Sequence, residues 1–226
     1  MSIQSAPTAK GLEGVVVAQT QKSTVDGTIG KLQYHGYNIV DLAAHATYEE
    51  VVYLLWYDKL PTLSELETFK KELAAERSLP PELVEMMRAF PKAAHPMAVL
   101  RTAVSALGVL DSLSEDTSPA ANLRVARRLT AALPTIVAAW ERIRNDKELV
   151  APRSDLGHAA NFLYMMRGTE PTPTEVDAVD TYLVLLADHG MNASTFSARV
   201  TTSTLSDVYS AVTTAIGTLK GPAHGG

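Results

Sequence analysis

The final eight residues, "LKGPAHGG", set one histidine, His224, among three glycines and a proline. Proline fixes φ and glycine opens the rest of the backbone map. Such a loop either aims an imidazole at a target or is simply a flexible end. A second cluster, "DHGMNASTFSAR", crowds Asp188, His189, Asn192, Ser194 and Thr195 into eight residues directly after the apolar run "VDTYLVLLA". Polar groups between two apolar helices are costly unless they are hydrogen-bonded or meet a ligand. Asn192 or Ser194 can cap the helix that follows, which explains part of the cluster and leaves His189 over. The N-terminus of that helix carries partial positive charge and suits a carboxylate.

The other histidines have plainer readings. His35 and His45 fall in or near an extended arm and read as surface residues or as side chains able to reach a site. His95 precedes Pro96 at a helix entry, and His158 sits in the apolar stretch "GHAANFLYMM", where a core or interface histidine is the default. Arg124, Arg127 and Arg128 read as a solvated helix face or, alternatively, as an anion or CoA-phosphate patch. With no cysteine in the chain, disulfides, thiolate zinc and a cysteine nucleophile are excluded. There is no nucleophile elbow, no H-E-x-x-H helix, no Walker loop and no dinucleotide fingerprint, and no metal is expected. The glycines of "VDGTIG" read as hairpin punctuation rather than a phosphate cradle.

Mostly helical elements must position these residues. Residues 11–40 mix β-branched runs with the turn dipeptide Asp26-Gly27, which predicts a few short strands or an irregular arm. Beyond it, Thr47–Glu50, Thr62–Glu65 and Thr172–Glu175 each match a capping box, the last with Pro173 at the first helical position. The patterning predicts helices over roughly 48–58, 63–77, 80–89, 96–110, 119–144, 155–167, 173–187, 194–203 and 206–219. Pro134 should kink the fifth. In 173–187 an apolar stripe of Val176, Val179, Leu183 and Leu186 is broadened by Tyr182 and Leu185. The last helix is apolar and small-residue-rich nearly all round, which predicts deep burial or close packing on another helix. The fold class is therefore all-α with a short extended N-terminal arm, as one domain over 11–226 behind a flexible tail at 1–10.

Composition is consistent with that. The 226 residues are 46% hydrophobic and 20% charged, with a net charge of -5, so neither long disorder nor a general attraction to nucleic acid is expected. No apolar run approaches the roughly 20 residues of a membrane helix, and the polar first ten residues lack a signal-peptide core. The expected location is the cytoplasm.

Several long segments together resemble the citrate synthase family, in its compact bacterial form: "GLEGVV" at 11–16, "DGTIGKLQYHGYNI" at 26–39, "EEVVYLLWYDKLP" at 49–61, "AHPMAVLRTAVSALG" at 94–108, "DLGHAANFLYMM" at 155–166, and everything from Ala187 to the last residue. The resemblance implies a helical large domain that forms a homodimer or higher oligomer, and condensation of acetyl-CoA with oxaloacetate to citrate and CoA. CoA would be a co-substrate, with no permanently bound cofactor. Carried over, His224 matches the loop histidine that hydrogen-bonds the thioester oxygen as the enol forms. His189 matches a histidine that holds oxaloacetate, and Asn192 and Ser194 line the same pocket. In the family "GPxHGG" continues into a stretch carrying a second histidine, an aspartate base, the substrate-gripping arginines and much of the CoA site. That stretch and the small domain are absent from this sequence, so the chain is expected to be a fragment or a split subunit, inactive alone and open to a complementing C-terminal chain. A 2-methylcitrate synthase, acting on propionyl-CoA, is the close alternative. A non-catalytic helical dimerisation module is the other.

Overall fold

The structure, a computed structural model, describes residue 16 and residues 18–225. The expected tail at 1–10 and all but the last residue of "GLEGVV" lie outside the described residues. Among these, the chain is mainly α-helical, with a small antiparallel sheet near its N-terminal end.

The sheet runs β1 (Ser23–Asp26), β2 (Lys31–Tyr34), β3 (Tyr37–Asn38), in that order. The Asp26-Gly27 turn is present. Asp26 pairs with Lys31, so the loop spans four residues, and Asp26 Oδ1 accepts the Thr28 N–H at 3.0 Å. A second, tighter hairpin went unread in the sequence. Tyr34 pairs with Tyr37, leaving His35 and Gly36 as its two central residues, both at positive φ (46° and 87°). That is the twist-matched two-residue turn, with an unusual histidine at its first position.

A short helix, α1 (Ile39–His45), was also missed. Asn38 ends β3 and at once caps α1, its side chain accepting the Val40 N–H at 3.0 Å. Seven residues are too few to display a helical period. The three capping boxes are all formed. They open α2 (Tyr48–Tyr57), α3 (Leu63–Ala75) and α8 (Pro173–Leu185), and each glutamate accepts its threonine's backbone N–H, at 2.7, 2.8 and 2.8 Å.

The middle of the chain is α4 (Pro81–Arg88), α5 (Pro96–Leu110), α6 (Pro119–Arg144) and α7 (His158–Arg167). Helix α5 is capped by His95, whose Nδ1 accepts the Met97 N–H, so this histidine has the structural role its position indicates. Helix α6 continues through Pro134. Helix α7 starts three residues later than the pattern indicates, with Gly157 as its cap. The chain ends with α9 (Ala193–Ser203) and α10 (Val208–Leu219).

The main core lies where α5, α6 and α10 meet α4, around Leu83, Val104, Ile136, Trp140 and Ile216. Each such side chain contributes roughly 1.5–3 kcal/mol by burial. The close packing expected of the last helix is made to α9 and α5. At Gly108 the approach is so tight that a Cβ would stand 2.9 Å from Tyr209 Cβ. A second cluster, Tyr34, Leu42, Val51, Leu54 and Val184, joins the sheet to α1, α2 and α8.

Two readings of helix surfaces need revision. The buried residue of α8 is Val184, while Tyr182 and Leu186 of the apolar stripe are 61% and 55% exposed. Helix α8 presents only a narrow line to the second cluster, and its broader apolar face borders a groove shared with α6 and α7. The α6 arginines form neither a free solvated face nor an open anion patch. Arg124, Arg127 and Arg128 pair with Asp111, Glu72 and Glu76 at 2.8, 3.2 and 3.2 Å.

Candidate active site

The two polar clusters singled out in the sequence meet in one hydrogen-bonded network. Helix α8 ends at Leu185, and the chain turns through Asp188, His189 and Gly190 into α9. Asn192 caps α9, its Oδ1 accepting the Thr195 N–H at 2.8 Å. Because a backbone N–H can only donate, this bond fixes the amide orientation. Asn192 Nδ2 then donates to His189 Nε2 at 3.3 Å, which places the proton of a neutral His189 on Nδ1.

The connection to His224 runs through Ser194. Its Oγ lies 2.8 Å from Asn192 Oδ1 and 3.1 Å from His224 Nε2. One continuous chain of polar contacts thus runs His189–Asn192–Ser194–His224. Ser194 has a single hydroxyl hydrogen and two neighbours able to accept it. Directed at Asn192, it obliges His224 to carry its proton on Nε2. Directed at His224 Nε2, it moves the ring proton to Nδ1, the nitrogen free to face a ligand. Asn192 Oδ1 keeps the Thr195 N–H either way.

Helix packing brings these residues together. Thr218 of α10 donates to Ser197 of α9 at 2.8 Å, and Thr201 meets Thr214 at 3.1 Å. Ser197 Oγ in turn bonds the Ser194 carbonyl at 2.9 Å. These small polar residues hold the two helices close enough for the turn after α10 to reach Ser194. Within that turn the His224 N–H bonds the Gly221 carbonyl at 2.9 Å. The glycines act through space rather than through φ. Neither Gly221 nor Gly225 has positive φ. A Cβ at Gly225 would stand 2.9 Å from Leu219 Cδ1, and one at Gly221 would stand 3.2 Å from the Thr218 carbonyl.

The remaining histidines lie elsewhere. His35 Nε2 is 3.2 Å from Asp58, and His45 is exposed at the end of α1. His158 is buried beside Tyr48, and burial, opposed by the charge of Glu49, pushes its pKa down to about 4. It lines a largely apolar groove of about 530 Å³ that none of the four site residues borders. Among the described residues no group of three or more His, Asp or Glu could hold a metal ion, and no helix is long and apolar enough to cross a membrane. Sequence reasoning missed the sheet beneath His189, where Tyr34 and Ser23 contact Asp188. The alternation within "KLQY" hinted that Tyr34 faces inward, but nothing local named its partner.

A family model described as "Citrate synthase, C-terminal domain" matches residues 11–226. Citrate synthase 2 of Bacillus subtilis is 51% identical over 219 residues, covering 96% of this chain and 58% of the relative. A 2-methylcitrate synthase of Mycobacterium tuberculosis is 48% identical over 217 residues, covering 96% and 55%. The crystal structure of citrate synthase from Pyrobaculum aerophilum superposes with a TM-score of 0.92 at 46% identity, over 100% of this chain and 58% of that one. A ternary complex of carboxymethyl coenzyme A and oxaloacetate with the Thermoplasma acidophilum citrate synthase gives 0.93 at 32% identity, over 98% and 58%. The chain therefore spans a little over half the length of the relatives it matches.

Proposed function

The chain belongs to the citrate synthase family, and on that premise we propose that it contributes part of an active site that condenses acetyl-CoA with oxaloacetate and water to give citrate and CoA. The observation that carries this reading is the continuous polar chain His189–Asn192–Ser194–His224. His189, beside the positive first turn of α9, holds a carboxylate or the keto group of oxaloacetate. His224 donates from Nδ1 to the thioester oxygen. Loss of a proton from the α-carbon puts negative charge on that oxygen, and a fixed neutral N–H stabilises it without giving up its proton fully. Of the two orientations of the Ser194 hydroxyl, the one directed at Nε2 gives this tautomer; directed at Asn192 Oδ1, Ser194 instead accepts the Nε2–H. Both imidazoles act here as donors and neither Asn192 nor Ser194 is a base at neutral pH, so on this reading the group that takes the α-proton lies outside the cluster.

The test is thiol release from acetyl-CoA and oxaloacetate, measured for the 226-residue chain and for the same chain joined to the remaining portion of its Bacillus subtilis relative. The chain alone is expected to be silent, and the joined form active. In the joined form His224→Ala should lower turnover by roughly 100- to 1,000-fold, the cost typical of one lost donor. An unchanged rate would end the assignment of His224.

The 48% identical 2-methylcitrate synthase supports a second substrate. Propionyl-CoA is one methylene larger, and an apolar pocket discriminates that by only about 1–3 kcal/mol. Catalytic efficiencies of the joined form on the two thioesters decide between them, and a propionyl preference would make 2-methylcitrate the principal product. CoA enters as co-substrate, with no permanently bound cofactor. Exposed Tyr182 and Leu185 on α8, with Leu186 just beyond its end, support a homo-oligomer or a complementing chain as partner, and the compartment we propose is the cytoplasm. Should the joined form release no thiol, the same apolar face favours a non-catalytic dimerisation module instead.

A further inference from the structure

The peptide that carries His189 is held on both sides from the N-terminal sheet. Before it, the Asp188 N–H donates to Tyr34 Oη at 3.2 Å. After it, the Gly190 N–H donates to Asp188 Oδ1 at 2.6 Å, and the same oxygen accepts Ser23 Oγ–H at 2.9 Å. Tyr34 is fully buried in the second core cluster, so its hydroxyl has one fixed place. That hydroxyl also reaches the Val184 and Leu185 carbonyls at 3.1 and 3.2 Å; both belong to the last turn of α8, where the Val184 carbonyl otherwise accepts a long contact from the Ala187 N–H at 3.4 Å. Its single hydrogen serves those carbonyls while its lone pair takes the Asp188 N–H. Burial pushes its pKa up, so it remains a neutral hydroxyl. Gly190 sits at φ +90°, a conformation held by the bond to Asp188. His189 is exposed between these two anchors, and among the described residues its ring is held by Asn192.

We infer that Tyr34 and Ser23 are positioning residues for the His189 imidazole, so that the small N-terminal sheet, 154 and 165 residues away in sequence from Asp188, is a working part of the candidate active site. The contacts are chemically economical. A phenol placed across the end of α8 satisfies the helix and sets the direction in which the chain leaves it. Asp188 then passes that direction to Gly190 through one carboxylate oxygen. The functional side of the inference rests on the reading of His189 as an oxaloacetate ligand, whereas the positioning itself does not.

Two variants test it in the 226-residue chain. Tyr34→Phe removes only the hydroxyl and leaves the ring in the core; Ser23→Ala removes the outer bond to Asp188 and leaves the core untouched. The first readout needs no ligand: nitrogen and carbon chemical shifts of the His189 ring, with amide exchange of Asp188 and Gly190 by NMR. In Tyr34→Phe the Asp188 amide should exchange at least about 10-fold faster, and the His189 ring should lose the shift pattern of an Nε2 acceptor. Ser23→Ala should do the same to Gly190, and Ser23→Thr, which keeps a hydroxyl, should restore it. Tyr37→Phe, on an exposed tyrosine of the same sheet, should change nothing at His189. Unaltered His189 shifts and amide exchange in both Tyr34→Phe and Ser23→Ala overturn the inference. If Tyr34→Phe does not fold, the Ser23 pair decides it alone. The second readout is oxaloacetate affinity by calorimetry in the joined form, which carries the rest of the site, expected to weaken about 10-fold in each variant. Altered His189 signals with unaltered affinity in the joined form would uphold the positioning and remove His189 from the substrate.

Discussion

The Nε2 of His224 lies 3.1 Å from the Oγ of Ser194, a contact that spans 30 residues of chain and joins the turn after α10 to the first turn of α9. Ser194 is thereby the group that decides which imidazole nitrogen of His224 carries a proton. Ser194→Ala should leave the α9 cap intact, because Thr195 bonds Asn192 directly, and should cost about 1 kcal/mol or less in stability. Turnover of the joined form should fall by about 10- to 100-fold, short of the loss of a direct donor. Nitrogen NMR should show His224 moving from the Nδ1–H to the Nε2–H tautomer, and Ser194→Thr should restore it. An unchanged tautomer in Ser194→Ala would remove Ser194 from this role.

Gly190 tests the conformation of the His189 loop separately from its side chains. At φ +90° an L side chain is strained, while the space is open: a Cβ would lie 4.0 Å from its nearest neighbour, Val25 Cγ2. Gly190→Ala should therefore destabilise by strain alone, about 1–2 kcal/mol, or a drop of roughly 3–6 °C in melting temperature for a chain of this size. Calorimetry that finds no drop would show that the loop relaxes to negative φ.

What could be read in the sequence follows the range of the forces involved. The capping boxes act over three residues, and all three were legible, as were the limits of α5 and α6, which open on Pro96 and Pro119. His189, Asn192 and Ser194 stood out as a polar cluster costly between two apolar helices, and His224 by the glycines and proline around it; that Ser194 joins the two was not legible. Helix α1 was hidden because Asn38 serves two elements at once, and the His35-Gly36 turn because histidine rarely takes positive φ. The exposure of Tyr182 and Leu186 was hidden for a different reason: periodicity shows that a face is apolar, not what lies against it. The tether from Tyr34 to Asp188 crosses 154 residues and leaves no local trace.

Two helix glycines near α10 should respond with opposite signs. At Gly108 a Cβ would meet Tyr209 Cβ, Cγ and Cδ2 at 2.9, 3.1 and 3.3 Å. That ring cannot yield, being 2% exposed and anchored through its hydroxyl to Asp111 at 2.7 Å. Gly108→Ala gains about 1 kcal/mol of helix propensity but overpacks the core by about 1–3 kcal/mol, so it should be net destabilising. At Gly217 the nearest atom is Arg101 Cδ at 3.6 Å, an ordinary contact. Gly217→Ala should stabilise by about 0.5–1 kcal/mol. Denaturant midpoints that move in the same direction for both would contradict the close α5–α10 contact at Gly108.

Asp180 and His158 should give stability opposing dependences on pH. Both lie near buried Glu49, which bonds the His158 N–H at 2.9 Å, while Asp180 accepts the Tyr48 N–H at 3.0 Å. Burial, reinforced by the charge of Glu49, raises the Asp180 pKa from 3.8 to about 6. Between those values the folded chain binds the extra proton, so this contribution is full below 3.8 and is lost as pH rises through about 6. For His158 the folded pKa is about 4 against an ordinary 6.5. There the unfolded chain binds the extra proton, so this contribution is full above 6.5 and is lost as pH falls through about 4. The histidine is worth up to about 3 kcal/mol, and the half-buried carboxyl, screened by solvent, about 1–2 kcal/mol. The unmodified chain should then lose stability only gently between about pH 6.5 and 4. Asp180→Asn keeps an acceptor for Tyr48 and removes the opposing slope, so its decline towards acid should steepen. His158→Phe keeps an aromatic ring beside Tyr48 and should reverse the slope, stability now falling as pH rises. Urea unfolding across this range reads both slopes, and parallel curves for the two variants would mean that neither group titrates as its surroundings require.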